Sequence, residues 1–259
     1  MTKVRIFGAC SGTEAVKDFH HVALAIEEND SYYWFDAGED CVWAANMMDV
    51  EFEKIKGIFL SHQHIDHNGG LLSLLHSISK REFRYGIKMV DEKIRLFMPN
   101  MKIGEAFLKL MPMLGIPYRG GSPLEVAEVK DGLVFEDENG KITAYHNHHV
   151  QSEEGDGWKS FSYVIETKSK RIVFSGDVRD MHDLDEMLEK ECDLLLVETG
   201  HHKVADVCDY VNTKKVKRCV FIHHGREILG DFEGCEKYVK EHMNCQGEIA
   251  KDMTLIELN

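Results

Sequence analysis

Proline and long apolar runs are both scarce in this chain. Only 4 of its 259 residues are proline, and none lies in a proline-rich tract, so we expect no rigid linker of that kind. No apolar run approaches the length needed to span a bilayer. The first eight residues have a strand-like pattern and lack the apolar segment of a signal peptide. We therefore expect a cytoplasmic protein with no membrane partner.

Paired cysteines are also missing. The chain has 7 cysteines, an odd number, and they are scattered without any Cys-x-x-Cys spacing. This pattern does not indicate a disulfide framework. It indicates reduced thiols in a cytoplasm. We expect most of these cysteines to be small buried apolar side chains.

Basic residues are in the minority. The chain has 31 Lys and Arg against 45 Asp and Glu, which gives a formal net charge of −14. The densest basic run, residues 214–218, is short. Proteins that bind long nucleic acids usually carry a basic stripe that neutralises phosphates. The charge therefore favours a small-molecule substrate over a long polynucleotide. It leaves the oligomeric state open, with a homodimer among the options.

The composition predicts one globular domain spanning residues 1–259. Hydrophobic residues make up 43% of the chain and charged residues 29%, which is ordinary for a folded domain, and no repeat or low-complexity tract interrupts it. Strands alternate with helices in the last third, which indicates an α/β fold. We predict strands at 3–8, 21–27, 32–36, 56–60, 94–98, 124–129, 133–135, 141–146, 160–166, 171–175, 194–198, 219–223 and 253–258, and helices at 40–47, 69–79, 104–114, 181–190, 203–212 and 231–242.

Potential metal ligands are most concentrated between residues 61 and 70. This stretch reads Ser-His-Gln-His-Ile-Asp-His-Asn-Gly-Gly and contains four of them: His62, His64, Asp66 and His67. It lies between a predicted buried strand and a predicted helix. Side chains two apart in an extended segment face the same way, so His62 and His64 can bind one ion together. Imidazole and carboxylate ligands suit zinc, iron or manganese.

Other ligand-type side chains follow later predicted strands. Histidines 146, 148 and 149 end one strand, Asp177 follows Ser175-Gly176 after another, and His223 and His224 end a third. Neighbours in a strand point to opposite faces, so we expect only one histidine of each adjacent pair to bind a metal. We expect His146 to pack or to support the site. An isolated Gly-Asp is also a common turn or helix cap.

The segment at 61–70 resembles the His-x-His-x-Asp-His signature of the metallo-β-lactamase superfamily. The order of the later elements extends the resemblance over almost the whole chain. It implies an α/β fold in four layers, the αββα sandwich, and two divalent metal ions, for which zinc is favoured and iron or manganese are alternatives. It further implies that one metal is held by His62, His64 and His149 and the other by Asp66, His67 and His223, with Asp177 bridging them. His148 and His224 remain the alternatives to His149 and His223.

The resemblance is greatest to the phosphodiesterase branch, which includes RNase Z and small cyclic phosphodiesterases. It implies a hydrolase in which a hydroxide bridging two metals attacks a phosphodiester. The net charge, and the lack of the glycine-rich arm with which RNase Z holds tRNA, favour a small phosphodiester. Asp66, Glu198 and His201 are the candidate catalytic residues, as base, ligand-orienting group or proton carrier. Lactone or thioester hydrolysis on the same site is the alternative, and a non-hydrolytic sensor or redox module is a third.

Two features near the motif have less specific interpretations. Asp36-Ala37-Gly38 resembles the family's Asp-x-Gly turn, which implies that Asp36 holds the metal loop by hydrogen bonds. A plain turn would give the same pattern. His21 can face the substrate or begin a strand, and the roles of His20 and His21 stay open.

Overall fold

The computed structural model describes residues 1–12, 16–116, 121–155 and 157–259. The strands are Thr2–Gly8 (β1), Ala23–Glu28 (β2), Ser31–Phe35 (β3), Ile55–Phe59 (β4), Ile94–Met98 (β5), Leu124–Glu128 (β6), Gly132–Asp137 (β7), Gly140–His146 (β8), Phe161–Thr167 (β9), Arg171–Phe174 (β10), Leu194–Thr199 (β11), Arg218–His224 (β12), Gln246–Ile249 (β13) and Thr254–Leu258 (β14). The helices are Cys41–Met47 (α1), Ile65–Asn68 (α2), Leu71–Tyr85 (α3), Met101–Met113 (α4), Val204–Asn212 (α5), Arg226–Gly230 (α6) and Phe232–His242 (α7), with 3₁₀ turns at Phe52–Lys54 and Met181–Leu184.

The described contacts divide the chain into two compact units, each built on one mixed sheet. The first unit comprises residues 1–8, 17–129 and 252–259. Its seven strands lie in the order β14-β1-β2-β3-β4-β5-β6. Pairing is antiparallel from β14 to β3 and parallel from β3 to β6. The parallel half brings the carboxyl ends of β3 and β4 side by side, and the histidine-rich segment begins there.

The second unit comprises residues 9–16 and 130–251. Its seven strands lie in the order β13-β12-β11-β10-β9-β8-β7. Strands β10 to β13 are parallel, and strands β7 to β10 are antiparallel. The carboxyl ends of β10, β11 and β12 therefore meet at one edge of this sheet.

Each sheet is packed against helices through its own apolar core. In the first unit, α3 buries Leu71, Leu74, Leu75 and Ile78, a spacing that forms one helix face, in a cluster that includes Trp34 of β3. The helix ends at Gly86, whose φ of 68° is the left-handed conformation favoured at a helix end. In the second unit, α5 buries Val207, Cys208 and Val211, and α7 buries Val239, in a cluster that includes apolar residues of β10, β11 and β12.

Most predicted elements are confirmed, and the α/β class is confirmed with them. The predicted helix at 181–190 is wrong, because only Met181–Leu184 forms a 3₁₀ turn and the rest is turns. The Asp180 side chain accepts a hydrogen bond from the His182 N–H. The backbone N–H groups of Asp183 and Asp185 then donate to the carbonyls three residues earlier, those of Asp180 and His182. Strand β13 and helices α2 and α6 were not predicted. The single-domain interpretation stays a prediction.

Among the described residues, no helix combines the length and the apolar character needed to cross a membrane.

Candidate metal centre

The histidine-rich segment of the first unit begins directly after β4. His62 is fully buried, whereas His64 is exposed. Nε2 of His62 lies 2.9 Å from Nδ1 of His64, so the two rings lie on the same side of the segment, as the extended pattern predicts. The centroids of the His62 and His67 rings are 4.0 Å apart. Three imidazoles therefore converge within eight residues of the end of β4.

The short helix α2 carries the other two ligand-type residues of this segment. Asp66 is 6% exposed and His67 1% exposed. Nε2 of His67 lies 3.4 Å from Oδ2 of Asp66. A carboxylate and an imidazole nitrogen thus face each other beside the His62 ring, which is a donor arrangement that divalent metals bind.

Asp36, at the end of β3, holds this segment in place. Its side chain is fully buried, and it accepts hydrogen bonds from the backbone N–H and the hydroxyl of Ser61, both at 2.7 Å. Its Oδ2 also lies 2.7 Å from Nδ1 of His67. The carboxylate accepts a hydrogen bond from Nδ1–H and so leaves Nε2 as the nitrogen that can bind a metal. The prediction that Asp36 holds the loop by hydrogen bonds is confirmed.

Asp177 is central to the ligand-type cluster of the second unit. It is 2% exposed. Its Oδ2 lies 3.6 Å from Nε2 of His149, and its Oδ1 lies 3.3 Å from Nε2 of His223. The two oxygens of one carboxylate therefore face two different histidines. Potential ligand atoms of Asp177, Glu198, His201 and His223 all lie within 4.8 Å of one another.

The parallel strands of the second sheet bring these residues together. Asp177 follows β10 after Ser175 and Gly176, and the positive φ of Gly176, 54°, turns the chain at the sheet edge. Glu198 lies near the end of β11, and His223 near the end of β12. Carboxyl ends of adjacent parallel strands lie at the same edge, which explains why residues so distant in sequence meet.

His149 and His148 have different surroundings. His149 faces Asp177, and its backbone N–H donates to Oδ1 of Asn147 at 3.2 Å. The Nδ1 atom of His148 is instead hydrogen-bonded to the buried carboxylate of Asp183, and about half of this side chain is exposed. Adjacent histidines thus point to different partners, as expected for neighbours in an extended chain. The geometry favours His149 as the ligand.

His223 and His224 differ in the same way. His224 is fully buried, and its Nε2 atom lies 2.7 Å from the carbonyl oxygen of Ala250. Burial lowers the pKa of His224 to about 4, so this ring is neutral at physiological pH. His223 adopts a φ of 50° and places Nε2 toward Asp177. His223 therefore has the geometry of a ligand, and His224 that of a structural residue.

Glu198 and His201 form a pair beside this cluster. Glu198 is fully buried and accepts from the backbone N–H groups of Val178, at 3.1 Å, and His201, at 3.0 Å. Its Oε1 lies 3.0 Å from Nδ1 of His201. Burial alone would raise the pKa of Glu198, but His201 and His223 outweigh burial and lower it. The hydrogen bond to Glu198 raises the pKa of His201. The pair can therefore hold a proton on a half-exposed imidazole.

His146, His20 and His21, which the sequence singles out, lie outside these clusters. His146 is half-exposed and pairs with Asp131 through Nδ1 at 2.7 Å, so it is not packed in the core. Its ring contacts that of His148 edge-to-face, with centroids 5.7 Å apart, and a supporting role stays a prediction. In the first unit, His20 pairs with Asp252 through Nδ1 at 2.7 Å. Nδ1 of His21 lies 3.8 Å from Oε1 of Glu39. Neither contact assigns a role to His20 or His21.

Sequence reasoning missed the residues that support His149. Asn147 is fully buried, and its amide donates to the hydroxyl of Ser162 at 3.1 Å. The hydroxyl of Ser160 accepts from the Val150 N–H at 2.9 Å and donates to the Asn147 carbonyl at 3.2 Å. A polar residue between histidines at a strand end was an available signal for Asn147. No local signal identifies Asp183, which lies 35 residues from His148.

Comparison with known proteins gives a family match over most of the chain. A family model described as the beta-lactamase superfamily domain matches residues 32–224. The ribonuclease Z of Bacillus subtilis (strain 168) is 30% identical over 161 residues, which are 61% of this chain and 46% of that protein. The chain thus spans about half the length of this curated relative, and similarly half of a Listeria monocytogenes ribonuclease Z.

Two solved structures share the fold. The metallo-beta-lactamase fold protein YhfI from Bacillus subtilis superposes with a TM-score of 0.75 at 17% identity, over 98% of each chain. The short form of human tRNase Z (ELAC1) superposes with a TM-score of 0.75 at 18% identity, over 99% of each chain. These likenesses confirm the predicted fold class.

Proposed function

Because this chain belongs to the β-lactamase superfamily, we propose that it is a metal-dependent hydrolase that cleaves phosphodiester bonds. The single observation that supports this most is the placement of Asp177, whose two carboxylate oxygens face His149 and His223. A buried carboxylate between imidazoles is suited to sharing two cations. The relatives named ribonuclease Z favour phosphorus over carbonyl chemistry, since the bonds that a ribonuclease cleaves are phosphodiesters.

The donor set fits divalent metal ions. The histidines offer imidazole nitrogens as ligands. In two of them a carboxylate lies near the Nδ1 atom and leaves Nε2 for a metal. Asp36 is 2.7 Å from Nδ1 of His67, and Glu198 is 3.6 Å from Nδ1 of His223. Such carboxylates orient ligating histidines and raise their basicity. We assign two ions to seven residues: His62, His64 and His149 for one, Asp66, His67 and His223 for the other, and Asp177 for both. Zinc is favoured by these ligands, with iron and manganese as alternatives.

When bound, such ions supply Lewis acidity to the phosphoryl oxygens and activate water as the nucleophile. The chain's own residues supply proton transfer and orientation. His201, whose Nδ1 atom is held by Glu198, offers Nε2 to protonate the departing alcohol. Glu198 keeps this ring oriented and favours its protonated form. Asp66, buried beside His67, contributes as ligand or as general base.

A small phosphodiester is the substrate that we propose first. The net charge of −14 opposes the long-range attraction of a polynucleotide, while bound cations supply local positive charge for a small anion. RNA is the second candidate, because the relatives named ribonuclease Z act on it. The charge of the chain and the names of its relatives thus point to different substrates of the same chemistry.

The test is a substrate panel with the purified protein loaded with zinc, manganese or iron. The panel contains bis(p-nitrophenyl) phosphate, a lactone, a thioester and an RNA with a 3′ extension. We expect the phosphodiester to turn over and Asp66→Ala to abolish most of that turnover. The exposed His242 provides the matched control, because His242→Ala removes a surface imidazole and should retain activity.

Each other outcome identifies a competing function. Lactone or thioester turnover that is far faster than phosphodiester turnover would contradict the proposal and favour carbonyl chemistry. Turnover of RNA alone would favour the second candidate. Full metal loading without turnover of any substrate would favour a sensor or redox module.

A further inference from the structure

The second unit contains a cavity whose outer lining has no role in the proposed chemistry. Its volume is about 350 Å³, and its lining includes His148, His149, Trp158, Arg179 and His201. His149 and His201 also face Asp177, at 3.6 Å and 3.9 Å. The cavity therefore lies next to the candidate ligands. Small-molecule sites usually have volumes of about 300–1,000 Å³, so this one accommodates part of a substrate.

Trp158 lies on a hairpin loop between β8 and β9. The loop is closed by hydrogen bonds from Lys159 N to the Val150 carbonyl and from Ser152 N to the Gly157 carbonyl, each at 2.8 Å. Gly157 adopts a φ of 135°, which a residue with a Cβ rarely adopts. Trp158 also pairs with Gln151 across the hairpin. The backbone that carries the indole is therefore fixed at the cavity wall.

His148 supports this indole from one side. The centroids of the His148 and Trp158 rings are 4.8 Å apart with an interplanar angle of 79°, an edge-to-face contact. The His148 ring is itself held by Asp183, which is 5% exposed and contacts both its Nδ1 atom and its backbone N–H. The half-buried Trp158 ring is thus held in place by His148 and presents an aromatic surface to the cavity.

Arg179 provides the positive charge of the cavity. It directly follows Val178, whose backbone N–H is held by Glu198 at 3.1 Å. Arg179 is exposed. Within the part of the chain that the structure describes, it forms no ion pair with a carboxylate. A guanidinium in this position can bind phosphate oxygens through two parallel hydrogen bonds.

We propose that this cavity is a specificity subsite for an aromatic group carried by the phosphodiester substrate, such as a nucleobase. Trp158 stacks on the ring, and Arg179 binds a phosphate oxygen. The inference rests on the proposed function, because it treats Asp177 and its neighbours as the reacting centre. It follows from two features of one cavity: an aromatic wall and a cation, both adjoining that centre. A nucleotide carries the two matching groups, an aromatic base and an anionic phosphate.

The kinetic test compares two substrates with the same leaving group. Thymidine 5′-(p-nitrophenyl) phosphate carries a base, and methyl p-nitrophenyl phosphate carries none. We expect Trp158→Ala to lower the ratio of their kcat/KM values about tenfold, within the range for stacking of one base. Trp158→Phe, which keeps an aromatic ring, should retain most of the ratio. Arg179→Ala should raise KM, and Arg179→Lys should recover part of that loss.

Trp43 provides the matched control. Trp43 is 51% exposed and lies in the first unit. Trp43→Phe should leave the substrate ratio unchanged. An unchanged ratio in Trp158→Ala, with the variant folded by circular dichroism and active on the methyl ester, would overturn the subsite while the proposed function stands.

A binding measurement separates failure of the subsite from failure of the proposed function. The Trp43→Phe protein retains two indoles. Trp34 is fully buried, and Trp158 lies at the cavity. Thymidine 5′-monophosphate should quench the fluorescence of this protein, and additional Trp158→Phe substitution should abolish the quenching. Quenching without turnover of any phosphodiester would refute the proposed function and retain the subsite. No quenching at saturating nucleotide would refute the subsite directly.

Discussion

The Nδ1 atom of His67 lies 2.7 Å from Oδ2 of Asp36, and both side chains are excluded from solvent. The same carboxylate accepts two hydrogen bonds from Ser61. One buried group at the end of β3 thus fixes both the start of the histidine-rich segment and the tautomer of its last histidine. The orientation of His67 depends on this carboxylate.

Replacing Asp36 should therefore weaken metal binding without removing a ligand. Asp36→Asn keeps the size of the side chain but loses the charge that orients the His67 ring. We expect metal affinity to fall about 10–100-fold, the usual effect of losing such a partner. Competition with a chromogenic chelator measures it. Asp49→Asn, at an exposed position, is the control. Equal affinities in the two variants would refute this role of Asp36.

The second prediction concerns the adjacent histidines of the second unit. His149→Ala should remove bound metal, because the Nε2 atom of His149 faces Asp177. His148→Ala should keep its metal content, because His148 pairs with Asp183. Elemental analysis of the two variants after identical reconstitution gives the ranking. The opposite ranking would show that His148 is the ligand.

Gly70 should not tolerate a larger side chain. A Cβ atom there would lie 2.2 Å from the carbonyl oxygen of Gly38 and 2.9 Å from Sγ of Cys41. Gly70→Ala should therefore destabilise the protein by about 1–3 kcal/mol, as overpacking does. Urea denaturation measures the change. A Cβ at Gly230 meets nothing within 4 Å, so Gly230→Ala should show no comparable loss. Equal stability of the two variants would contradict the close packing of Gly70 against Gly38.

The fourth prediction concerns Glu27 on β2. Its carboxylate accepts from Nζ of Lys3 at 3.1 Å and from Nε of Arg5 at 2.9 Å. Burial by itself raises the pKa of Glu27, but these hydrogen bonds outweigh burial and lower it. The folded state therefore favours the ionised form. Its stabilising contribution is complete above the pKa of an unfolded glutamate, about 4.3, and is lost as pH falls through the lower folded value.

Glu27→Gln should consequently cost about 1–2 kcal/mol near neutral pH, and its difference from the unmodified protein should shrink below about pH 4. Glu125→Gln removes an exposed partner of Lys93 and should cost less than about 1 kcal/mol. Urea denaturation of both variants at two pH values provides the comparison. A cost for Glu27→Gln that grows on acidification would contradict the sign of the pKa shift.

The sequence predicted the elements that depend on local patterns. Strand β5 and most ligand-bearing strand ends were predicted because apolar runs end there in polar residues. Helix 181–190 was wrongly predicted from its helical apolar spacing, because only Met181–Leu184 forms a 3₁₀ turn, which begins where the Asp180 side chain accepts from the His182 N–H. Strand β13, four residues long and mostly polar, has no strong pattern of its own. It forms because its backbone pairs with β12.

In the candidate site, too, the residues that a local pattern identifies were predicted, and those that depend on distant contacts were not. The four ligand-type residues at 62–67 lie in one short segment, and their spacing identifies them. Choosing His149 over His148 requires knowledge of what each faces, and the deciding partners are Asp177 and Asp183. The placement of Trp158 at the cavity was not predicted, because it depends on a hairpin closed by backbone hydrogen bonds and on the contact with His148.

Metal stoichiometry after reconstitution tests the central claim most directly. The protein is stripped with a chelator, loaded with zinc, manganese or iron, freed of unbound ions and measured by elemental analysis. The account predicts two ions per chain for at least one of these metals, and a clear loss in Asp177→Asn, which removes the shared carboxylate charge. Protein that is folded by circular dichroism and retains no stoichiometric metal under any of these conditions would contradict the account.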